Sequence, residues 1–405
     1  MEERAVRFEL DSPATGTSVA EFISPPIAAS SRASRRLCVV LICHYGRSGY
    51  NVLRSLRAVR AKVFVIRDAR AVSMRYSLRS KVVHAIPHLD DADPEIIAGI
   101  INDLHSRHGI DSVIGADVES QSLILRMRDR LTCPVFPISP PETLERLNNK
   151  WDFYQLCVRH DVPVPKTLLC ENRSAADPDL IGRELGWPVV VKPAVGYGQR
   201  GILILRDRDD FVQRFVKADA GHEPSVIIQE YLEGPDWALG VFARNGNVEH
   251  WAAWVCPGQL DTGYGIGRFT STEFLDRRDL ADMGERLIAA TAFSGIANFD
   301  LRFDTRTETI RMLECNPRCF NRMLATRAIG VDFVKPGLRG YAGTQPSSLG
   351  RASFYPWHEL FTTRGIKRLV NGKWPLRPLV RDVRDMLDDP LVPIMRKIHK
   401  EDRRD

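Results

Sequence analysis

The stretch Ala297 to Arg318, ANFDLRFDTRTETIRMLECNPR, decides the fold. ANFDLRFD and RMLECNPR read as two paired strands separated by a polar turn. Alternate residues of a strand face one side, so Glu314 and Asn316 project together, with Asp300 on the neighbouring strand. Two oxygen-bearing side chains on one face and a third carboxylate beside them suit magnesium bridging nucleotide phosphates. Arg318 continues that face and is placed to clamp a carboxylate or phosphoryl oxygen. A solvated charged edge is the competing account. It fits less well, because MLECN is apolar enough to be buried, and buried carboxylates need partners or metals.

Upstream, PVVVKPAVGYGQRGILILRD places Lys192 at the end of one strand and Gly196, Gly198 and Gly201 before the next. In a P-loop the lysine follows the glycines and opens a helix; here the order is reversed. A glycine-rich hairpin can fold over polyphosphate and donate backbone N–H groups, while Lys192 supplies a point charge. An ordinary surface hairpin with an exposed lysine has the same letters. Between these two pieces lies IIQEYLEGPDW, residues 227 to 237, a strand running into a Gly-Pro turn. Gln229, Glu230, Tyr231 and Leu232 could offer an apolar slot and backbone groups to a purine edge, with Asp236 past the turn to accept from ribose hydroxyls. A plain strand and its turn read the same way.

Further towards the N-terminus the pattern changes. LCVVLIC, KVFVIRD and DSVIGAD read as buried strands alternating with helices over Tyr50 to Val59, Pro94 to His108 and Glu119 to Arg130. That alternation implies a parallel sheet with helices on its faces over residues 37–140. Gly46-Arg47-Ser48-Gly49 after the first strand either holds a phosphate at a helix N-terminus or simply permits a tight turn. ISPPE marks a boundary, followed by one helix from Leu144 to Val158, and residues 141–345 form an α+β region of antiparallel hairpins. Residues 1–36, rich in Ser, Pro, Ala and Arg, read as a flexible leader with room for a short strand at Val6 to Leu10. Residues 346–405 read as peripheral amphipathic helices.

Composition limits the function. With 405 residues, 44% hydrophobic and 27% charged, the chain is long enough for two or three packed units and a site between lobes. The net charge of +6 is spread among mixed charges, which disfavours nucleic acid. No apolar run approaches the roughly 20 residues that cross a bilayer, and the N-terminus has no apolar signal region, so cytoplasm is the expected compartment. The eight cysteines form no CxxC pair and the ten histidines no HExxH spacing, so no zinc site is expected.

In their order and spacing NNKWDFYQLC, VVVKPAVGYGQRG, IIQEYLEGPDW, NFDLR and LECNPR resemble the ATP-grasp superfamily, carboxylate–amine or –thiol ligases with an N-terminal α/β pre-grasp domain. The resemblance runs from Leu37 to about Gly340. It implies an α/β and α+β architecture: a parallel-sheet pre-grasp domain followed by a two-lobed ATP-grasp fold. It implies that Lys150 and Lys192 contact ATP phosphates and that the hairpin of Gly196, Gly198 and Gly201 closes over them. Gln229, Glu230, Tyr231 and Leu232 would hold adenine and Asp236 the ribose. Asp300, Glu314 and Asn316 would bind magnesium, with manganese as an alternative cation, and Arg318 would steady an acyl-phosphate. Many relatives carry Glu or Gln where Asp300 stands. The activity implied is ADP-forming ligation of a small carboxylate to an amine, in a chain that could form a homodimer.

CPGQLDTGYGIGRFTST, residues 256 to 272, is either a substrate loop with Arg268 reaching a carboxylate or a long surface connection. Two other functions compete with ligation. A nucleotide-binding regulatory module would keep the fold without turnover. A nicotinamide-dependent oxidoreductase would need Gly46 and Gly49 to carry a dinucleotide and Asp68 to hold its ribose, on a poor fingerprint.

Overall fold

The computed structural model describes residues 36–196, 201–217, 225–256, 272–338, 341, 352–354, 370–371 and 387–401. The leader with its short strand, Gly198, Arg268 and most of the C-terminal region lie outside the described residues.

The chain opens with β1 (Cys38–Cys43), α1 (Gly46–Ala58), β2 (Lys62–Asp68), β3 (Ser80–Ile86), α2 (Pro94–His108), β4 (Ser112–Gly115) and α3 (Val118–Met127). These strands form a sheet in the order β3-β2-β1-β4, parallel throughout. Every residue of β1 is buried, as a strand flanked on both sides and covered on both faces requires. The sequence reading omitted β3. Its residues, SKVVHAI, are half-buried or exposed except for Ile86, because it is the edge strand and lacks a clean apolar period.

Next come α4 (Pro141–Asn148), α5 (Lys150–Arg159), β5 (Thr167–Cys170), α6 (Pro178–Leu185), β6 (Val189–Pro193), β7 (Leu203–Leu205), α7 (Arg208–Phe211) and β8 (Val226–Glu230). The helix expected over Leu144 to Val158 is in fact two. Asn149 adopts an extended backbone and its Oδ1 accepts from the N–H groups of Trp151 and Asp152, which ends one helix and caps the next. Strands β5 to β8 form a small antiparallel sheet in the order β5-β8-β6-β7. It packs its own apolar cluster around Val191, Phe211, Phe215 and Ile228.

The larger sheet contains β9 (Asp236–Arg244), β10 (Asn247–Val255), β11 (Thr272–Leu275), β12 (Gly295–Asp304), β13 (Thr309–Asn316) and β14 (Ala352–Phe354), in the order β13-β12-β9-β10-β11-β14. Helix α8 (Arg278–Ala290) buries Leu280, Leu287 and Ile288. The β12–β13 hairpin is the one the sequence shows, with Asp300 opposite Glu314 and Asn298 opposite Asn316. Gly234 makes the turn into β9 with φ of 146°, and a Cβ there would lie 2.1 Å from the carbonyl oxygen of Phe303. Only glycine fits so close an approach.

One helix of the C-terminal region is described, α9 (Leu391–Ile398). It packs against α1 and the helical turn Val72–Tyr76, far away in sequence, with Val392 fully buried. Among the described residues no helix is long and apolar enough to cross a membrane.

Candidate active site

The Asn149 cap makes Lys150 the first residue of α5. Its backbone N–H donates to the carbonyl of Ala194 at 2.8 Å, which ties the helix start to the end of β6. Its Nζ donates to the carbonyl of Gly196 at 2.9 Å and stands 3.6 Å from Glu314 Oε2. The chain just past β6 and a large-sheet carboxylate therefore meet at the ammonium group of the first residue of α5. Lys192, on β6, is also buried. Burial pushes it down to about 8 against the upward pull of Glu314, and nearby Lys150 adds to the lowering.

Asp300 and Glu314 are register partners on β12 and β13. Burial, then the charge of Glu314, push Asp300 up to about 8. Burial also acts to raise Glu314, but Lys192, Lys150 and the hydrogen bond from Asp300 outweigh it and hold Glu314 below its ordinary value. Two buried lysines and two half-buried carboxylates thus lie together, where charge–charge interactions are stronger than in water. Asn316 donates from Nδ2 to Asp300 Oδ2 at 3.0 Å. Strand β13 ends at Asn316, and Arg318 turns back, its N–H donating to the Asn316 carbonyl at 2.8 Å and its guanidinium to Asn316 Oδ1 at 3.1 Å.

These groups fit a hard divalent cation. Among the described residues no group of three or more His, Cys, Asp or Glu side chains is placed to hold a metal. A cation here would draw on Asp300, Glu314, the Asn316 amide and oxygens of its own ligand, the pattern of magnesium–nucleotide sites.

Residues 149–346 match the family model described as the carbamoyl-phosphate synthase L chain, ATP binding domain. The fold is that of N5-carboxyaminoimidazole synthetase from Staphylococcus aureus complexed with ADP, at a TM-score of 0.61 and 15% identity over 82% of this chain and 87% of that one. Over residues 149–346 the chain resembles the ATP-grasp superfamily. Another structural neighbour, the L-amino acid ligase from Bacillus licheniformis, has a TM-score of 0.56 and 16% identity over 74% of this chain and 73% of that one. Among curated relatives, a D-aspartate ligase of Enterococcus faecium is 27% identical over 54% of this chain and 57% of its own length. A carbamoyl phosphate synthase large chain of Pyrococcus furiosus is 28% identical over 44% and 18% respectively. The chain spans less than two thirds of the length of either curated relative.

Within this ATP-grasp fold, the residues quoted from the sequence fall into two groups. Lys150, Lys192, Gly196, Asp300, Glu314, Asn316 and Arg318 converge around the pocket. Gln229 to Asp236 lie along the end of β8 and the turn into β9, and several of their side chains are engaged within the protein. Gln229 is buried and donates to Thr167 Oγ1 at 2.8 Å. Glu230 pairs with Arg311 and accepts from the Lys166 N–H. Asp236 pairs with Arg302 Nε at 2.7 Å. Tyr231 donates its N–H to the Pro188 carbonyl, and Leu232 is buried.

Sequence reasoning passed over Asn298, Arg302 and Arg311. Asn298, Asp300 and Arg302 alternate along β12, so the strand period itself was the available signal. Arg311 carries no such signal, because its partner Glu230 lies 81 positions away.

The Gly46–Gly49 turn holds carboxylates of the protein itself. Asp117 accepts from the N–H groups of His44 and Tyr45 and from Ser48 Oγ, at 2.7 to 3.1 Å from its Oδ2. Glu401, past α9, receives the N–H and hydroxyl of Ser73 at 2.7 Å each and lies where a Cβ on Gly46 would be. Asp68 is fully buried and accepts from the N–H groups of Arg70 and Leu89. The turn is structural, and Asp68 is not presented to a ribose.

Proposed function

We propose that this protein is an ATP-dependent, ADP-forming carboxylate–amine ligase. In this reading residues 37–140 are the pre-grasp domain and 141–345 the ATP-grasp domain, preceded by a leader and followed by peripheral helices. A substrate carboxylate oxygen attacks the γ-phosphorus of ATP, ADP leaves, and the acyl-phosphate is then attacked by an amine, which releases phosphate and forms an amide. The observation that carries the reading is the convergence of buried Lys150 and Lys192 on the Asp300–Glu314 pair. Buried charges of both signs at this density suit a polyanion with a divalent cation, and phosphoryl transfer depends on such positioning and neutralisation.

Lys150 and Lys192 hold ATP phosphates, and in this reading the glycine-rich stretch with Gly196, Gly198 and Gly201 closes over them. Asp300, Glu314 and Asn316 hold magnesium or manganese, which when bound neutralises charge on the phosphates. Arg318 steadies the acyl-phosphate, and Arg268 reaches the substrate carboxylate. The chain segment from Gln229 to Leu232 receives adenine, chiefly through its backbone because the Gln229 and Glu230 side chains are engaged. Asp236 reaches the ribose from its pair with Arg302. The substrates are small molecules and the compartment is the cytoplasm, where ATP is supplied; a homodimer is compatible with this reading.

The names of the relatives suggest where to begin. D-Aspartate and L-amino acids, offered as carboxylates and as amines, form the first round of a screen for ADP and phosphate release, with mass spectrometry of the products. Release that requires both a carboxylate and an amine supports the ligase. ATP binding without turnover across broad pools would leave only a nucleotide-binding module.

A further inference from the structure

Asn298, the first residue of NFDLR, stands beside the carboxylate pair. It is buried, sits opposite Asn316 in the β12–β13 register, and donates from Nδ2 to Asp300 Oδ1 at 2.7 Å. Asn316 donates to the other oxygen, Asp300 Oδ2, at 3.0 Å. Asp300 is therefore gripped by an amide on each side. The two amides differ in what else they do. Asn316 Oδ1 accepts from Arg318 at 3.1 Å, whereas Asn298 Oδ1 is buried with no hydrogen-bond partner among the described residues.

A buried carbonyl oxygen without a donor is costly, so its position implies a partner that arrives with a ligand. Turning the Asn298 amide over would take its donor away from Asp300 Oδ1. A cation must instead displace one of the two amides from Asp300. Asn316 can turn over and offer its own oxygen to the cation, giving up Arg318 for a phosphoryl group. Asn298 has no such exchange open to it and keeps Oδ1.

We propose that Asn298 is a positioning residue of the cation site: it occupies Asp300 Oδ1, so that the carboxylate meets a divalent cation through Oδ2 alone, and its own carbonyl oxygen receives a hydration water of that cation. This rests on the reading of Asp300, Glu314 and Asn316 as the magnesium–nucleotide site. The consequence is selectivity. Magnesium and manganese take six ligands in near-octahedral geometry and retain water, whereas calcium takes six to eight and accepts a carboxylate through both oxygens. A carboxylate with one oxygen blocked favours the smaller ions.

The test uses the full chain with ADP present and manganese as the probe, free manganese being read by electron paramagnetic resonance and calcium added as competitor. Asn298→Leu keeps the volume and removes both hydrogen-bonding functions; Asn298→Ser, which leaves room for water, carries the test if the leucine variant does not fold. Metal-free ADP binding reports that a variant is intact. The expected result is a loss of manganese affinity of about 10- to 100-fold, the usual effect of removing a ligand's supporting partner. Calcium should lose less, so the ratio between the two ions narrows, while metal-free ADP binding stays as in the wild type. Variants with wild-type manganese affinity would overturn the assignment. An equal loss for both ions, with the ratio unchanged, would overturn the blocked-oxygen part. If the wild-type protein itself takes up no manganese with ADP, the underlying site reading fails instead.

Discussion

Glu314 Oε2 lies 3.6 Å from Lys150 Nζ, and this pair joins the large sheet to the first residue of helix α5. Glu314 also draws on Lys192, so one carboxylate balances two buried ammonium groups. Either lysine without it would be an uncompensated buried charge.

Glu314→Gln and Lys192→Ala should therefore each abolish magnesium-dependent ATP turnover. The expected fall is about 100-fold or more, the scale on which single groups that stabilise developing charge act. The fold should survive, since neither side chain belongs to the apolar clusters, although Glu314→Gln leaves two buried ammonium groups without their partner and should lower stability. Turnover is followed by ADP release and the fold by circular dichroism. Full activity in either variant removes these residues from the site.

A second test concerns how Lys150 is placed. Asn149 Oδ1 caps α5 by accepting from Trp151 N at 2.9 Å and Asp152 N at 3.3 Å. Asn149→Ala should cost about 1 kcal/mol of stability, as loss of a cap does. Because the first turn of α5 carries Lys150, ATP affinity should fall as well. Urea unfolding and nucleotide titration measure the two separately. Asn149→Asp, which retains the capping oxygen, should restore both; an alanine variant with unchanged ATP affinity would show that the cap does not position Lys150.

Much of this arrangement was legible in the sequence, for identifiable reasons. Asp300, Glu314 and Asn316 announce themselves because they interrupt apolar strands at the period of a β-strand, and local chemistry decides which way they face. Lys192 and the glycines after it are ordered in a way that excludes a P-loop. The break at Asn149 was missed because α4 and α5 share a helical period across it, and a single capping residue decides the matter. Edge strand β3 escaped because a half-exposed strand loses the alternation that betrays a covered one. The Glu230–Arg311 and Asp236–Arg302 pairs depend on how the sheets assemble, which no local pattern encodes.

The parallel sheet offers a test by pH. His44 Nδ1 stands 3.1 Å from Asp68 Oδ2, and Arg70 NH1 is 2.8 Å from His44 Nε2. Burial acts to lower His44, but the Asp68 carboxylate, aided by Glu119 and Asp117, raises it above the ordinary 6.5. Burial acts to raise Asp68, but His44 and the N–H groups of Arg70 and Leu89 hold it below the ordinary 3.8. A raised histidine contributes stability that is complete below 6.5 and is lost as pH climbs through its folded value. A lowered aspartate contributes stability that is present above 3.8 and is lost as pH falls through its folded value. The pair is thus strongest between 3.8 and 6.5. Protonation also fills Nε2, which Arg70, able only to donate, must then leave. Asp68→Asn should lower the His44 pKa in a proton NMR titration and flatten the fall in melting temperature from about pH 6 to about pH 8. An unshifted His44 resonance would refute the pairing.

The last prediction concerns the return of the chain to its beginning. Asp389, just before α9, is fully buried: Oδ1 accepts from the Leu78 N–H at 2.9 Å, Oδ2 from Ser77 Oγ at 2.6 Å, and its carbonyl from the Tyr50 hydroxyl at 2.8 Å. Asp388 pairs with Arg57 and Arg79, and Glu401 holds Ser73 at the other end of the helix. Asp389 and Glu401 thus satisfy N–H groups of the segment between β2 and β3. Asp389→Ala keeps the backbone carbonyl contact to Tyr50 but leaves the Leu78 N–H and Ser77 hydroxyl without their acceptor, at a cost of about 1 to 3 kcal/mol. The damage should be local. Hydrogen exchange at Ser73 to Arg79 should speed up markedly, with the small antiparallel sheet unchanged, because β5 to β8 pack around a separate apolar cluster. Uniform acceleration through both regions would mean that the C-terminal helix supports the whole molecule; unchanged exchange at Leu78 would mean that it supports neither.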